Sequence, residues 1–255
     1  MRAPERATAE YALAEGVVGL WPGVGWLPAS RTLLVADAHL GYEDVIGAAL
    51  PLWSTAEIVA TVALLRRRTG AREIVFLGDI VHGAHMNDGA ARRVRAALDA
   101  LRAEAELTLV AGNHEGRTKA FALLGATAPR LERDGWLLVH GDGAAQPHLR
   151  AIIGHLHPSI GLGAGASAPA LIGSKSLVVL PALTPYSSGL DCCSDDFRAA
   201  LGTWNVRAQD AHVAAVGGEL LHPFGALSEL RALLRAPRAP NAGRMRRRKR
   251  LGPDR

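Results

Sequence analysis

The chain has 255 residues, 49% of them hydrophobic, and its 29 Lys or Arg and 24 Asp or Glu give a formal net charge of +5. A chain of this length and composition can bury a full core, and it favours one large α/β domain over two small ones. No apolar stretch reaches the roughly 18 to 20 residues that a membrane span requires, and no apolar run follows the first charged residues as in a secretory signal. We therefore expect a soluble, cytoplasmic protein with no membrane partner.

The positive charge is concentrated near the end of the chain. Residues 236–255 contain eight Lys or Arg and one Asp, so residues 1–235 hold the other 21 basic and 23 acidic residues. Prolines and clustered arginines with few large apolar residues are typical of disorder. We expect a nearly neutral folded domain at 1–235 and a basic, disordered tail at 236–255.

The N-terminal part of the chain has the least regular pattern. Residues 1–30, with scattered Gly and Pro, favour one or two edge strands, and a continuous apolar strand follows at Arg31–Ala36. Residues 41–53 then predict a loop that covers the end of this strand. Ser54, with a Glu three residues later, matches a capping box that opens a crossover helix, and Gly70 is its expected end.

The next segments continue the alternation of strand and helix. A strand begins at Glu73, and Asp88 is the expected N-cap of a long helix that extends to about Ala105. A third apolar strand begins at Leu107, and a short helix is expected at Lys119–Leu124. This alternation indicates parallel strands joined by right-handed crossovers.

From Arg130 onward the pattern changes to short strands separated by turns, with helices expected near Asp195–Leu201 and at Ala226–Arg235. Such a second half predicts a partner sheet, so the expected architecture is an α/β sandwich of two sheets flanked by helices. Cys192 and Cys193 are sequence neighbours, which disfavours a stabilising disulfide between them. We expect two small, partly buried side chains there and no metal or redox role.

Polar side chains follow five of the predicted strands. Because ligands gather beyond the carboxyl ends of strands in sheets of this kind, we expect the five polar clusters to meet on one rim. In an extended segment alternate residues face the same way, so Asp37 and His39 could bind one ion together, and His155 and His157 could reach adjacent metals. The polar residues, in chain order, are Asp37 and His39, Asp79, Asn113 and His114, His140, and His155 and His157.

These residue types predict a metal site. Asp, His and Asn are ligands that Mn²⁺, Fe²⁺ or Zn²⁺ accept, and the lack of cysteine points away from a structural zinc site. Two metals roughly 3.5 to 4 Å apart need a shared carboxylate, for which Asp79 is the candidate. Each cluster alone is weak evidence: a lone His140 is more often a hydrogen-bonded structural residue, and the GNHE segment could be a simple turn. The ordered set of clusters is what predicts a dinuclear centre.

The ordered motifs DxH, GD, GNH, a later His and GHxH, between Asp37 and Pro158, resemble the calcineurin-like metallophosphoesterase superfamily. The resemblance implies a four-layer α/β sandwich, in which two facing mixed sheets are flanked by helices, and a centre of two divalent ions. Mn²⁺ is the expected metal, with Fe²⁺ or Zn²⁺ as alternatives. The resemblance assigns Asp37, His39, Asp79 and His157 to one metal and Asp79, Asn113, His140 and His155 to the other.

The same resemblance implies roles for the neighbouring side chains. It places His114 near the scissile phosphate as a general acid or transition-state stabiliser, oriented by Glu115. His82 and Asp142 are candidates to fix the tautomers of the ligands. The chain departs from the family pattern twice: Glu115 stands where Asp is usual, and Leu156 occupies a position often held by Arg. The first change keeps a carboxylate, whereas the second removes a candidate phosphate contact.

A narrower resemblance comes from the segments GDIVHG, GHLHP and PALTPYSSGLD, the last at Pro181–Asp191. They resemble those of the bacterial DNA-ligase-associated metallophosphoesterases, which are regarded as DNA-repair endonucleases. This resemblance implies that the metals activate a water to cleave single-stranded or structured DNA. A DNA ligase, a helicase and a second copy of the chain are candidate protein partners.

The basic tail has two interpretations. It could neutralise DNA phosphates and so raise affinity in a salt-dependent way, or it could serve only to keep the protein soluble. The residues concerned are Arg246, Arg247, Arg248, Lys249 and Arg250.

Two other functions are compatible with the motifs. The same metals could hydrolyse a phosphoester of a nucleotide or of a lipid-linked small molecule, and a lid from Gly41 to Trp53 over a deep pocket would favour this alternative. The chain could also be a metal-free scaffold for partner proteins. A full set of buried ligands argues against a scaffold, because unpaired buried carboxylates are costly.

Overall fold

The structure, a computed structural model, describes residues 6–45, 53–82, 86–114 and 124–235. Several predicted features lie outside these residues and stay predictions. They are Glu115, the helix at Lys119–Leu124 apart from its last residue, most of the loop at 41–53, and the whole tail at 236–255 with its basic run from Arg246 to Arg250.

The first sheet contains six strands in the order of the sequence. Its first four strands form an antiparallel meander, and the last three are parallel to one another. The expectation of one or two strands before residue 30 was too low, since three short strands fit between the closely spaced turns. The strands are β1 (Glu10–Ala14), β2 (Val17–Leu20), β3 (Val24–Leu27), β4 (Thr32–Val35), β5 (Glu73–Leu77) and β6 (Glu106–Val110).

The second sheet contains nine strands and is also mixed. Their order is β13-β10-β11-β12-β9-β8-β7, and β14 pairs with β11 and β15. β8, β9 and β12 run parallel, so the chain leaves β8 and β9 at the same edge. The strands are β7 (Leu131–Arg133), β8 (Trp136–Leu138), β9 (Ala151–Ile153), β10 (Pro158–Gly163), β11 (Ala166–Gly173), β12 (Leu177–Val179), β13 (Leu190–Asp191), β14 (His212–Gly217) and β15 (Leu220–Ala226).

The helices of the described residues flank the two sheets. They are α1 (Tyr42–Val45), α2 (Trp53–Thr69), α3 (Asp88–Arg102), α4 (Asp195–Thr203) and α5 (Leu227–Arg235). Gly70 ends α2 with a φ of 66°, as predicted, and α4 and α5 lie where helices were expected.

Two predicted helix starts were wrong. Ser54 is the second residue of α2, and its N–H donates to Glu43 Oε1 at 2.8 Å, so a carboxylate from α1 caps this helix from outside. The N-cap of α3 is Asn87 and not Asp88, because Asn87 has the extended backbone of a cap and its side-chain oxygen accepts from Ala90 N. α3 ends at Arg102, three residues before Ala105.

The buried apolar side chains form three clusters that separate four layers. One cluster lies between the sheets and draws on both of them, with Leu34 and Val75 from the first sheet and Ile152 and Val178 from the second. A second cluster joins the first sheet to α2 and α3, and a third joins the other sheet to α4 and α5. The predicted four-layer α/β sandwich is therefore confirmed.

The central strands are buried on both faces. Along β4, Leu33 and Val35 contribute to the cluster under α2 and α3, whereas Leu34 and the following Ala36 contribute to the cluster between the sheets. This alternation explains why the strands were recognisable as continuous apolar runs. Cys192 and Cys193 are buried free thiols of the third cluster.

An ion pair with a buried carboxylate and a partly exposed arginine connects the two sheets at the edge where β5 begins. Arg133 of β7 donates from Nε and Nη2 to the two oxygens of Glu73, each at 2.9 Å. Thr32 and Thr108, from the strands on either side of β5, donate their hydroxyls to the same carboxylate. We call this group the Glu73 clamp; it satisfies a buried charge with four hydrogen bonds from three strands.

Within the described part of the chain, no helix combines the length and the apolar character that crossing a bilayer requires.

Candidate metal centre

The predicted ligands lie together at the edge opposite the Glu73 clamp. Each follows the carboxyl end of a strand: β4, β5 and β6 of the first sheet, and β8 and β9 of the second. His39 N donates to the backbone oxygen of Asp79 at 2.9 Å, which joins the segments beyond β4 and β5. His155 N donates to Asp37 Oδ2 at 2.9 Å, which joins the two sheets. The strand ends thus bring residues distant in sequence to one rim.

The backbone at this rim is unusual. Nine non-glycine residues of the described chain have a positive φ, and five of them are predicted metal ligands. Left-handed backbone is disfavoured for residues with a side chain, and such conformations concentrate at functional sites. The five are Asp37, His39, Asp79, His155 and His157, with φ between 40° and 60°.

Four of the side chains form a first ligand group. One ligand atom of each of Asp37, His39, Asp79 and His157 lies within 4.8 Å of the others. His157 Nε2 is 3.1 Å from Asp37 Oδ1. The carboxylates of Asp37 and Asp79 are almost completely buried. These are the four residues that the resemblance assigned to one metal, and their geometry could hold a cation.

The second predicted group converges on His140. Its Nδ1 lies 2.9 Å from the Leu77 carbonyl, and because a carbonyl only accepts, Nδ1 carries the proton. Its Nε2 therefore presents a lone pair in the neutral ring, yet it faces Asn113 Oδ1 at 3.0 Å, Asp79 Oδ1 at 3.4 Å and His155 Nδ1 at 3.2 Å. Such a convergence calls for a positive charge among these atoms, either a bound cation or a proton on Nε2.

The titration behaviour of the groups agrees with this requirement. Burial lowers the pKa of His39 to about 3, although the charge of Asp79 acts in the opposite direction. Burial would raise the pKa of Asp79, but the hydrogen bond and charge of His140 outweigh it and lower the pKa to about 2. Burial would lower the pKa of His140, but Asp79 and Asp37 raise it to about 9. At neutral pH, His140 therefore holds a proton where a cation would otherwise lie.

A further observation supports a cation at this rim. Asp37 Oδ1 is buried and has no hydrogen-bond partner among the described residues. The nearest cationic candidate is His157 Nε2 at 3.1 Å, and a buried carboxylate oxygen without a hydrogen bond is costly unless a positive charge compensates it. The donor set of carboxylate, amide and imidazole, without sulfur, suits Mn²⁺, Fe²⁺ or Zn²⁺. The residues present therefore fit the expected metal pair.

The other predicted site residues take different positions. His114 lies at the solvent side of the rim with 39% of its side chain exposed, and its N–H donates to Asp79 Oδ1. His82 Nδ1 lies 3.2 Å from His39 Nδ1, so it contacts a predicted ligand. Asp142 is exposed and acts on His155 through its charge, with no hydrogen bond to a histidine in the described chain.

The structure also brings in residues that the sequence did not indicate. Ser187 Oγ lies 2.7 Å from His157 Nδ1 and so fixes the orientation of that ring. The rings of Tyr42 and Tyr186 stack with centroids 4.6 Å apart, and Tyr42 also packs on His82. The only signal for Ser187 and Tyr186 was their place in the PALTPYSSGLD segment, which gave no individual roles.

Two grooves border the rim. One, of about 350 Å³, includes His157 and the segment from Pro181 to Gly189. The other, of about 320 Å³, includes Arg130, His140 and Gln146. The grooves therefore reach the first and second ligand groups, respectively.

Comparison with solved structures identifies the fold. A nuclease MPE from Pseudomonas putida superposes with a TM-score of 0.60 at 19% sequence identity, covering 84% of this chain and 100% of that one. The chain has the metallophosphoesterase fold. At this identity the likeness establishes the fold alone.

Two other solved structures match more distantly. The phosphoesterase Yfce from E. coli gives a TM-score of 0.38 at 17% identity, covering 78% of this chain and 93% of that one. A metallophosphoesterase from Sphaerobacter thermophilus gives 0.33 at 12% identity, with coverages of 80% and 92%. No family model and no curated protein matches the chain. The metallophosphoesterase fold of this chain thus rests on its architecture and on the first superposition.

Proposed function

We propose that this protein is a metal-dependent phosphodiesterase that cleaves DNA, as an endonuclease acting on single-stranded or structured DNA. The observation that carries the proposal is the convergence of two ligand groups on Asp79, with buried acceptor atoms that call for a positive charge among them. A shared carboxylate between two ligand groups is the arrangement that two-metal phosphoryl transfer uses.

The proposed ligands divide between two ions. Asp37, His39, Asp79 and His157 would hold one, and Asp79, Asn113, His140 and His155 the other, with Mn²⁺ as the first metal to test and Fe²⁺ or Zn²⁺ as alternatives. Two such ions supply Lewis acidity, which makes a water nucleophilic at neutral pH and neutralises phosphate charge.

The protein's own groups then have distinct tasks. His114 is proposed to donate a proton to the leaving oxygen; its backbone N–H bonds to Asp79 and its side chain is open to solvent, which supports this role. Ser187 orients His157, and His82 supports His39. Glu115, which lies outside the described residues, is proposed to orient His114. The buried carboxylates of Asp37 and Asp79 provide the negative charge that retains the cations.

The grooves support a polymeric substrate. They reach the two ligand groups separately, so a chain that crosses the rim could extend into both, whereas a small molecule needs only one. The fold is also that of a solved nuclease, which makes nuclease activity the first activity to assay. A DNA ligase, a helicase and a second copy of the chain remain candidate partners.

The basic tail is proposed to contribute to DNA affinity through Arg246 to Arg250. Cations that neutralise phosphates release counterions, so affinity falls steeply with salt. Removal of residues 236–255 should therefore flatten the dependence of log affinity on log salt. An unchanged slope would assign the tail to solubility.

The deciding experiment uses closed circular single-stranded DNA beside bis(4-nitrophenyl) phosphate. The protein is assayed with Mn²⁺, with EDTA, and as the Asp79→Asn variant. Opening of the circle that needs metal and is lost in the variant establishes an endonuclease, because a circle has no ends for an exonuclease. Hydrolysis of the ester alone would contradict the DNA assignment and favour a small phosphodiester. No hydrolysis of either, in protein shown to bind Mn²⁺, would contradict the enzyme assignment.

A further inference from the structure

The segment Pro181–Asp191 is attached to both sides of the candidate metal centre. Leu183 N donates to the carbonyl of Ala36, the residue before Asp37, at 3.1 Å. Leu190 N donates to the carbonyl of His157 at 2.9 Å. Gly189 packs so closely that an added Cβ would lie 2.3 Å from the same carbonyl. The segment therefore has a fixed position relative to ligands from both sheets.

Tyr186 is the aromatic residue of this segment, and its ring is held by two contacts. One face stacks on Tyr42 with an interplanar angle of 12°. The hydroxyl donates to Oε1 of Glu43, a fully buried carboxylate, at 3.3 Å. The side chain nevertheless remains 42% exposed. Because contacts on one face already hold the ring, little side-chain entropy would be lost when a ligand binds to its accessible part.

The groove beside Tyr186 has a distinctive chemistry. It is lined by hydroxyl side chains, among them Ser159, Thr184 and Ser188, together with prolines and glycines. Of the described residues that line it, none is Lys or Arg. Without Lys or Arg, the described lining is poorly suited to hold phosphate by charge, but an aromatic ring and hydroxyls suit a planar base with polar edges.

The distance from Tyr186 to the centre is also suitable. Ser187, the next residue, contacts the predicted ligand His157 through its hydroxyl. Tyr42, on which Tyr186 stacks, also packs on His82 with ring centroids 4.3 Å apart, and His82 Nδ1 lies 3.2 Å from Nδ1 of the predicted ligand His39. The Tyr186 ring is therefore two ring contacts away from His82 at the rim. A phosphodiester at the rim would therefore carry one of its own flanking bases to the Tyr186 ring.

We propose that Tyr186, supported by Tyr42, is a stacking platform that binds a nucleobase of single-stranded nucleic acid next to the scissile phosphate. The inference rests on the proposed function, since it names a specificity-determining contact for the same reaction. It assigns sequence-tolerant recognition of an unpaired base to the groove, because every base has a π-face, whereas a paired base in a duplex is already stacked on its neighbours.

The test combines a protein change with a substrate change. Short single-stranded oligonucleotides with one cleavage position are prepared intact and with an abasic analogue at each position near the scissile bond. Wild type and Tyr186→Ala are compared with Mn²⁺ for KM and kcat. With intact DNA, Tyr186→Ala should raise KM by about 5- to 150-fold, the range for loss of one base–aromatic contact. With the abasic analogue at the stacked position, wild type has already lost the contact, so the ratio of the variant KM to the wild-type KM should fall by the same factor.

Three further variants make the test selective. Tyr186→Trp should retain most of the affinity, because it keeps a stacking surface. Tyr186→Phe should raise KM much less than Tyr186→Ala does, because it loses only the contact with Glu43. Phe224→Ala removes an aromatic residue of similar exposure, 43%, on β15, and should leave KM unchanged.

The outcomes separate the two proposals. Equal losses for Tyr186→Ala on intact and abasic DNA at every position would overturn the stacking platform. So would a wild-type enzyme whose KM is unaffected by every abasic position, a result that needs no variant to fold. If wild type hydrolyses bis(4-nitrophenyl) phosphate and cuts no DNA, the proposed function itself fails, and the stacking platform fails with it.

Discussion

The Asp37 carboxylate accepts a hydrogen bond of 2.9 Å from the backbone N–H of His155. Asp37 follows β4 of the first sheet, and His155 follows β9 of the second, so this bond crosses between the sheets at the candidate metal centre. The contact requires a glycine at the adjacent position: a Cβ on Gly154 would lie 2.3 Å from Asp37 Oδ2.

The first prediction follows from this contact. Gly154→Ala should displace the Asp37 carboxylate and lower metal affinity by at least about 10-fold, since a ligand and its hydrogen bond are both disturbed. Isothermal titration of the EDTA-treated protein with Mn²⁺ measures the change. Gly143→Ala is a matched control on a neighbouring loop, because an added Cβ there meets nothing within 4 Å. Equal affinities for the two variants would refute the role given to Gly154.

The second prediction concerns the serine that contacts His157. Ser187→Ala should weaken Mn²⁺ binding by about 10- to 100-fold, the range for loss of a hydrogen-bond partner of a metal-ligating histidine. Ser188→Ala changes the adjacent hydroxyl, and the described hydrogen bond of Ser188 uses its backbone carbonyl, so this control should bind metal normally. Competition with a fluorescent chelator distinguishes the two. Normal binding by Ser187→Ala would show that His157 needs no such support.

The third prediction tests His114 as the proton donor. His114→Ala should lower kcat by about 10²- to 10⁴-fold while the protein keeps its metals and its melting temperature. The loss should be larger for esters with a poor leaving group than for 4-nitrophenyl esters, because a good leaving group needs no proton. Metal content by mass spectrometry and kcat over a series of leaving groups provide the readout. A loss independent of the leaving group would assign His114 to charge stabilisation instead.

The fourth prediction concerns the Glu73 clamp. Glu73→Gln should lower the free energy of unfolding by about 1.5–3 kcal/mol, because it removes a buried charge that accepts from Arg133 and two threonines. Urea denaturation with EDTA present measures this without a contribution from metal. Glu104→Gln breaks only ion pairs of a carboxylate that is 36% exposed and should cost less than about 1 kcal/mol. Similar costs for both changes would be incompatible with a special role for the clamp.

The pH dependence of the clamp provides the fifth prediction. Burial would raise the pKa of Glu73, but the hydrogen bonds from Arg133, Thr108 and Thr32 outweigh it and lower the pKa below its ordinary value of 4.5. A carboxylate with a lowered folded pKa adds stability above its unfolded pKa and loses it as the pH falls through the folded pKa. The stability difference between wild type and Glu73→Gln should therefore be constant near neutral pH and shrink below pH 4.5. Urea titrations at several pH values give this difference. A difference that grows on acidification would contradict the prediction.

Local pattern predicted much of the fold. The apolar runs that end on Asp37, Asp79 and His140 showed the strands and the residues at their ends, because buried parallel strands and their terminal ligands are encoded within about ten residues. The four layers followed from the change of pattern at Arg130. The choice between Asn87 and Asp88 as a cap could not be predicted, since both side chains are good caps and local backbone geometry decides between them.

Relationships across the two sheets could not be predicted from one sequence. Arg133 reaches Glu73 only because particular faces of the two sheets meet, and no local periodicity encodes that meeting. The stack of Tyr42 on Tyr186 has the same origin. The predicted ligands were recognisable because their spacing is local, whereas Ser187 is 30 positions from His157 in the sequence and meets it only in the folded second sheet.

The Glu73 clamp has a mechanical consequence. Glu73 begins β5 and Asp79 follows its end, so the clamp and the metal rim are about 20 Å apart along an extended strand. The clamp joins the two sheets at one edge, and the predicted metal ligands lie at the opposite edge. Removal of the cations would loosen only the edge that carries the predicted ligands, while the Glu73 clamp keeps the two sheets aligned at the other edge. The protein is therefore expected to exchange one metal for another without unfolding, and amide exchange should quicken around Asp37 and His155 and stay slow around Thr32.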